Sequence, residues 1–254
     1  MPSPYVSAPY VCSLRRWPAS ADCKRHYAEP PLIFYFIPMS SYAPSSESPS
    51  ESALSKVVLA SNNAGKLKEF SAILASAGMR MVPQGELGVG EAEEPYATFV
   101  ENALTKARHA SRHTGLPALA DDSGLCVDCL GGAPGVYSAR YASLDGGEKS
   151  DAANNRLLLQ TLEGQADRSA SYVAVLVYVR SADDPRPIIA EGVWHGQIAL
   201  EPAGANGFGY DPYFYLPDLG KTAAELAPEE KNRHSHRSRA LRKLLCALAG
   251  HDES

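Results

Sequence analysis

No run of about 18 or more apolar residues occurs, so no segment is a candidate membrane-spanning helix. The longest apolar stretch, residues 31–38, is far too short to cross a bilayer. Cysteine is sparse and odd in number: Cys12, Cys23, Cys126, Cys129 and Cys246 make five. Such scattered residues do not form a disulfide framework, and a reducing, cytoplasmic compartment is expected. Positive charge is not in excess, with 24 Lys and Arg against 29 Asp and Glu and a net charge of −5. That balance excludes a general nucleic-acid binder with a strongly basic face. It leaves room for a nucleotide enzyme, where one local basic site is enough. Apolar residues make up 44% of the 254 and charged residues 21%, the balance of a globular chain. A chain of this length forms one large domain or two small ones and buries roughly 70–75% of its unfolded surface.

The composition changes near residue 54. Residues 40–55 are rich in Ser and Pro, bury little and are expected to be disordered. Arg15, Arg16, Lys24 and Arg25, with an apolar core at 32–37, have elements of a targeting peptide. The basic residues lie far from that core, however, and no small-residue cleavage site follows. A disordered extension over 1–54, or translation from Met39, is the preferred reading; residues 55–254 form the domain.

From residue 56 the pattern becomes regular. Residues 57–60 read as a buried strand, and 66–77 as a helix with Leu67, Phe70, Leu74 and Ala77 on its apolar face, ended by Gly78. A second helix is expected over 97–113, with Phe99, Val100, Ala103, Leu104 and Ala107 inward. Residues 119–120 and 125–130 read as short strands around an Asp121-Asp122-Ser123-Gly124 turn. A third helix over 151–162 is capped by Ser150. Residues 170–180 and 188–200 form a predicted hairpin, and a last helix covers 235–249. The mixture indicates an α/β fold with a mixed sheet.

Four segments carry chemistry. Ser61-Asn62-Asn63-Ala64-Gly65-Lys66 joins a strand to a helix, where unsatisfied N–H groups and a lysine suit a phosphate; it lacks P-loop spacing, and a plain turn is equally consistent. Glu91, Glu93, Glu94, Glu101, Asp121 and Asp122 are acidic, and adjacent aspartates at a strand end suit Mg²⁺ or a solvated turn. Lys106 lies nearby on the second helix. In the loop 204–212, Phe208 and Tyr210 stand among glycines with Asp211, which suits stacking on a base or a turn anchored by core aromatics. Residues 231–239 are locally basic: Lys231, His236 and Arg237 either bind phosphate and base or form a solvated helix end. Cys126 and Cys129 fall in a predicted strand on opposite sides, without a second pair, and read as small apolar residues.

Taken together, Ser61–Lys66, Thr98-Phe99-Val100-Glu101-Asn102-Ala103, Ala120–Leu125, Leu130–Gly135 with Tyr137–Arg140, Gly207–Pro212, Lys221–Leu226 and Ser235–Arg237 resemble the inosine/xanthosine triphosphate pyrophosphatases, in order and spacing, from about residue 56 to 249. The resemblance implies a Mg²⁺-dependent hydrolase that cleanses the nucleotide pool of ITP, dITP and XTP. It would cleave between the α and β phosphorus atoms, releasing a monophosphate and pyrophosphate. By similarity, Ser61, Asn62, Asn63, Ala64, Gly65 and Lys66 hold the triphosphate, Asp122 activates water, and Asp121 and Glu94 complete the metal site. Lys106 faces the phosphates and Ser123 contacts substrate. Phe208, Gly209, Tyr210, Asp211, Lys231, His236 and Arg237 form the nucleoside site. The implied fold is an elongated α/β protein with two lobes around a cleft, and the implied assembly is a homodimer, with neither nucleic acid nor membrane as partner. A nucleotide sensor and a Mg²⁺-dependent kinase or phosphatase are the other function classes; the Asp121-Asp122 pair speaks against a mere binder.

Overall fold

The computed structural model describes residues 55–250. The expectations for 1–54 lie outside the described residues. Strand β1 (Ser55–Leu59) leads into α1 (Ala64–Leu74), which returns to β2 (Met79–Pro83). Helix α2 (Phe99–Thr114) precedes β3 (Ala118–Val127), and α3 (Asp151–Thr161) precedes the hairpin of β4 (Ser169–Val179) and β5 (Ile188–Ile198). Two short strands, β6 (Phe214–Leu216) and β7 (Lys221–Thr222), and helices α4 (Pro228–His234) and α5 (His236–Leu248) complete the chain. The sheet runs β2-β1-β3-β4-β5-β6-β7. Strand β1 is parallel to both neighbours, and the remaining pairs are antiparallel, so the sheet is mixed as expected.

Alternation along the strands sorts the core onto two faces. Val57, Leu59, Leu119 and Leu176 pack with Phe70 and Leu74 of α1 and Leu241 and Leu244 of α5. Val58, Ala118, Ala120 and Val175 pack on the other face against Ala103, Ala107 and Ala110 of α2. Those alanines keep α2 close to the sheet. Towards the far end, Leu125, Leu158, Trp194, Phe214 and Leu226 form a third cluster. Burying a side chain such as Leu119 or Leu176 contributes about 1.5–3 kcal/mol.

Several expectations are corrected. Asp121–Gly124 is no turn: β3 continues through it, and ten consecutive residues pair with β4, from Ala118↔Val179 to Val127↔Ala170. Turn-forming residue types yield here to continuous pairing with β4, since leaving the buried N–H and C=O groups on that edge unpaired would cost more than the local preference returns. The strand expected over 125–130 ends at Val127. Cys129 sits exposed on a short 3-10 segment (Asp128–Leu130), while Cys126 is half-buried in β3. Val100 and Ala77 face solvent rather than the core. Residues 231–234 belong to α4, separate from the last helix. Strand β2 was not anticipated: Met79-Arg80-Met81-Val82-Pro83 is short and ends in proline, and only pairing with β1 defines it.

Candidate active site

The turn after β1 is built by its own side chains. Asn63 caps α1, its Oδ1 accepting from Lys66 N–H at 3.0 Å. Ser61 Oγ accepts from Asn63 N–H at 3.1 Å, and Asn62 Oδ1 accepts from Gly85 N–H at 2.9 Å. These three side chains, expected to hold substrate, spend acceptors on shaping the backbone. Ala64 and Gly65 are exposed in the first turn of α1, and Lys66 projects from it.

Successive residues of β3 send their carboxylates to opposite faces. Asp121, on the face of Leu119, has a fully buried side chain; its Oδ2 lies 2.6 Å from Lys66 Nζ and 3.3 Å from Arg237 Nε. Burial favours the neutral acid there, but the two cations overcome it and hold the carboxyl well below the usual carboxylate range. Arg237 also donates to Ser123 Oγ at 3.0 Å. Asp122 faces α2, where Lys106 Nζ donates to its Oδ1 at 3.0 Å and to Glu94 Oε1 at 2.6 Å. Burial pushes the Asp122 carboxyl up, with repulsion from Glu94 and Asp121, and Lys106 offsets only part of this. At Glu94 burial acts in the same sense, but Lys106 and Arg140 outweigh it and the carboxyl is lowered. Burial works against the charge of Lys106, and its two carboxylates more than restore it.

Two cavities meet at Lys66. One, of about 520 Å³, is bordered by Ser61, Glu91, Glu93, Glu94, Lys106, Asp121 and Arg140. The other, of about 720 Å³, is bordered by Gly65, Ser123, Tyr172, Phe208, Gly209, Tyr210, Asp211, Lys231, His236 and Arg237 among others. All the residues expected to form a nucleoside site therefore surround one space, although they come from the β5–β7 region, α4 and α5. Phe208 is 65% exposed, with Lys231 Nζ 5.1 Å and Arg237 Cζ 6.0 Å from its ring centre. Tyr210, by contrast, is a core residue whose hydroxyl donates to the Ser138 carbonyl at 2.8 Å. The reading of a turn anchored by a core aromatic thus holds for Tyr210, whereas Phe208 lies open to the cavity. Asp211 is buried, paired with Lys231, and accepts from Phe208 N–H at 2.8 Å. His236 is buried and stacked on Tyr172, with ring centres 4.9 Å apart. Burial, together with nearby Arg237, takes its pKa down to about 3, so the ring is neutral near pH 7. Its Nδ1 has no hydrogen-bond partner.

Among the described residues no three Asp, Glu, His or Cys side chains converge closely enough to hold a metal by themselves, so Glu94, Asp121 and Asp122 are not a closed cage. Yet Asp121 Oδ1 and Asp122 Oδ2 are buried without partners. Carboxylate oxygens with unspent acceptor capacity fit Mg²⁺, which takes one or two protein ligands and completes its shell with water and phosphate.

The structure adds residues that sequence reasoning did not select. Arg140 borders the smaller cavity, its Nη1 3.7 Å from Glu94 Oε2. Tyr172 and Asp151 border the larger. Arg140 ends the Tyr137–Arg140 motif; Asp151 reads in the sequence only as a charge at a helix start, and Tyr172 only as a strand residue.

The chain is similar to proteins of one family in both sequence and fold. A dITP/XTP pyrophosphatase of Bordetella pertussis is 69% identical over 195 residues, covering 77% of this chain and 92% of the relative. One from Neisseria meningitidis serogroup A is 64% identical over 194 residues, covering 76% and 96%. The structure of a HAM1 protein from Coxiella burnetii superposes with a TM-score of 0.74 at 49% identity, covering 78% of this chain and all of that one. The Staphylococcus aureus Ham1 protein gives 0.70 at 41%, with the same coverage. With residues 57–247 also matching the family's sequence description, this chain belongs to the Ham1 family.

Proposed function

We propose that this chain hydrolyses non-standard purine nucleoside triphosphates (ITP, dITP and XTP) to the monophosphate and pyrophosphate, removing them from the nucleotide pool. The observation that carries the reading is the position of Lys66, which borders both cavities. An anionic chain starting from a nucleoside in the larger space passes this ammonium to reach the acidic smaller one. Relatives at 62–69% identity that bear the name dITP/XTP pyrophosphatase support the same chemistry.

In this reading the turn 61–66 and Lys66 hold the triphosphate, with Lys106 neutralising charge near the scissile bond. Asp122 takes the proton of the attacking water at Oδ2, while its Oδ1 is held by Lys106. Asp122 and Glu94, which meet at Lys106 on one face of β3, would hold Mg²⁺, whereas Asp121 is directed to Lys66 and Arg237 on the other. When bound, the ion would polarise the phosphate and lower the pKa of water. Phe208 offers a face for the base, and Lys231, Asp211 and Ser123 border the nucleoside. Donors on His236 and Arg237 suit the 6-keto oxygen of hypoxanthine or xanthine. Adenine presents an amino donor there, and an unpaired buried polar group costs ~1–3 kcal/mol, roughly ten- to a hundred-fold.

A homodimer in the cytoplasm completes the proposal; light scattering checks the assembly. No helix among the described residues is long and apolar enough to cross a membrane. The test of function is product analysis with ITP, dITP, XTP, ATP and GTP, with and without Mg²⁺. Pyrophosphate from the first three supports the reading. Inorganic phosphate or nucleoside diphosphate points to a phosphatase or kinase, and binding without product to a sensor.

A further inference from the structure

The loop carrying Phe208 has little intrinsic shape. Gly204, Gly207 and Gly209 all take positive φ, at 80°, 78° and 64°. Phe208 itself is mostly exposed, so core packing does not orient its ring. The order comes from backbone anchors on either side. On one flank, the Phe208 N–H donates to Asp211 Oδ2. On the other, the start of α3 grips Gly209 by both of its polar groups. The Gly209 N–H donates to Asp151 Oδ2 at 2.7 Å, and Asn155 Nδ2 donates to the Gly209 carbonyl at 2.8 Å. The same Nδ2 donates to the Asp151 carbonyl at 2.9 Å, locking the two gripping residues together. Asn155 is buried, and its Oδ1 has no partner. An apolar side chain would avoid that cost, so the residue's contribution lies in the grip of its amide.

We propose that Asp151 and Asn155 are positioning residues that set Phe208 as a preformed platform for the base. The proposal rests on the nucleoside site described above, and holding a flexible loop in its bound form removes an ordering cost from substrate binding.

The test uses the full chain. Stacking on an aromatic ring is lost on Phe208→Ala, raising KM for ITP by roughly tenfold. Asp151→Ala is expected to raise KM to a similar extent with kcat within about twofold of the parent, because uniform binding is lost rather than transition-state binding. Asp151→Asn, which keeps an acceptor oxygen, restores KM. In the double variant Asp151→Ala/Phe208→Ala, KM rises no further than in Phe208→Ala alone. Multiplied effects, to within about twofold, would overturn the proposal, as would an Asp151→Asn variant as impaired as Asp151→Ala. A second readout does not depend on turnover: amide exchange at 204–211 in nucleotide-free protein. It is expected to be faster in Asp151→Ala than in the parent or in Phe208→Ala. If the parent releases no pyrophosphate, the functional reading fails while this exchange experiment still decides the grip; unchanged exchange removes the grip itself.

Discussion

The carbonyl oxygen of His236 occupies the space where a side chain on Gly192 would begin, and a Cβ there would also come within 2.5 Å of the Ala240 amide nitrogen. A glycine in the middle of β5 thus lets the first turn of α5 settle on the sheet, and that turn carries His236 and Arg237. Gly192→Ala is expected to destabilise the fold by about 1–3 kcal/mol and to raise KM for ITP. Thermal unfolding and steady-state kinetics check it; an unchanged midpoint would mean that α5 yields without cost.

Asp122→Asn removes the proton acceptor while keeping shape and a hydrogen-bonding oxygen. Turnover is expected to fall by about 10²–10⁴-fold with nucleotide binding retained, measured by pyrophosphate release and calorimetry. Near-normal activity would take Asp122 out of this role.

The acid limb of kcat/KM is expected to lie above the value of a free aspartate, because burial and the charges of Glu94 and Asp121 raise Asp122. Lys106 acts in the opposite sense. Lys106→Met should therefore move that limb to still higher pH and lower the maximum rate. A limb that moves down would assign it to another group.

His236 makes stability depend on pH. Its value is about 3 in the fold against 6.5 in a free chain, so below about pH 6.5 the unfolded chain binds more protons. The contribution is complete above that pH and is lost as pH falls towards the folded value, at about 1.4 kcal/mol per pH unit. Denaturant unfolding at about pH 7 and pH 5 should show this loss in the parent and a shallower one in His236→Gln. Equal slopes would mean that the ring is protonated in the folded state.

A chain starting at residue 55 is expected to keep both its melting temperature and its kcat/KM for ITP, since the family match begins at residue 57. Loss of folding would give residues 1–54 a structural role.

Much of the architecture was legible because it is local. Leu67, Phe70 and Leu74 recur at helical spacing, Ser150 is a cap, and the apolar runs of β4 and β5 flank a turn-forming link. Motif order carried the family and placed Phe208, Lys231, His236 and Arg237 on one site. The course of β3 through Asp121 and Asp122 was not local. Their residue types favour a turn, and only pairing along β4 with cations on both faces makes a straight strand of them. From that strand follows the division of labour: alternation of side chains sends Asp121 to Lys66 and Arg237, and Asp122 to Lys106. The grip of Asp151 and Asn155 on Gly209, more than fifty positions away in the chain, was equally invisible. Sequence settles what neighbours along the chain prefer, whereas which distant charge meets which carboxylate is decided when the sheet and its helices close.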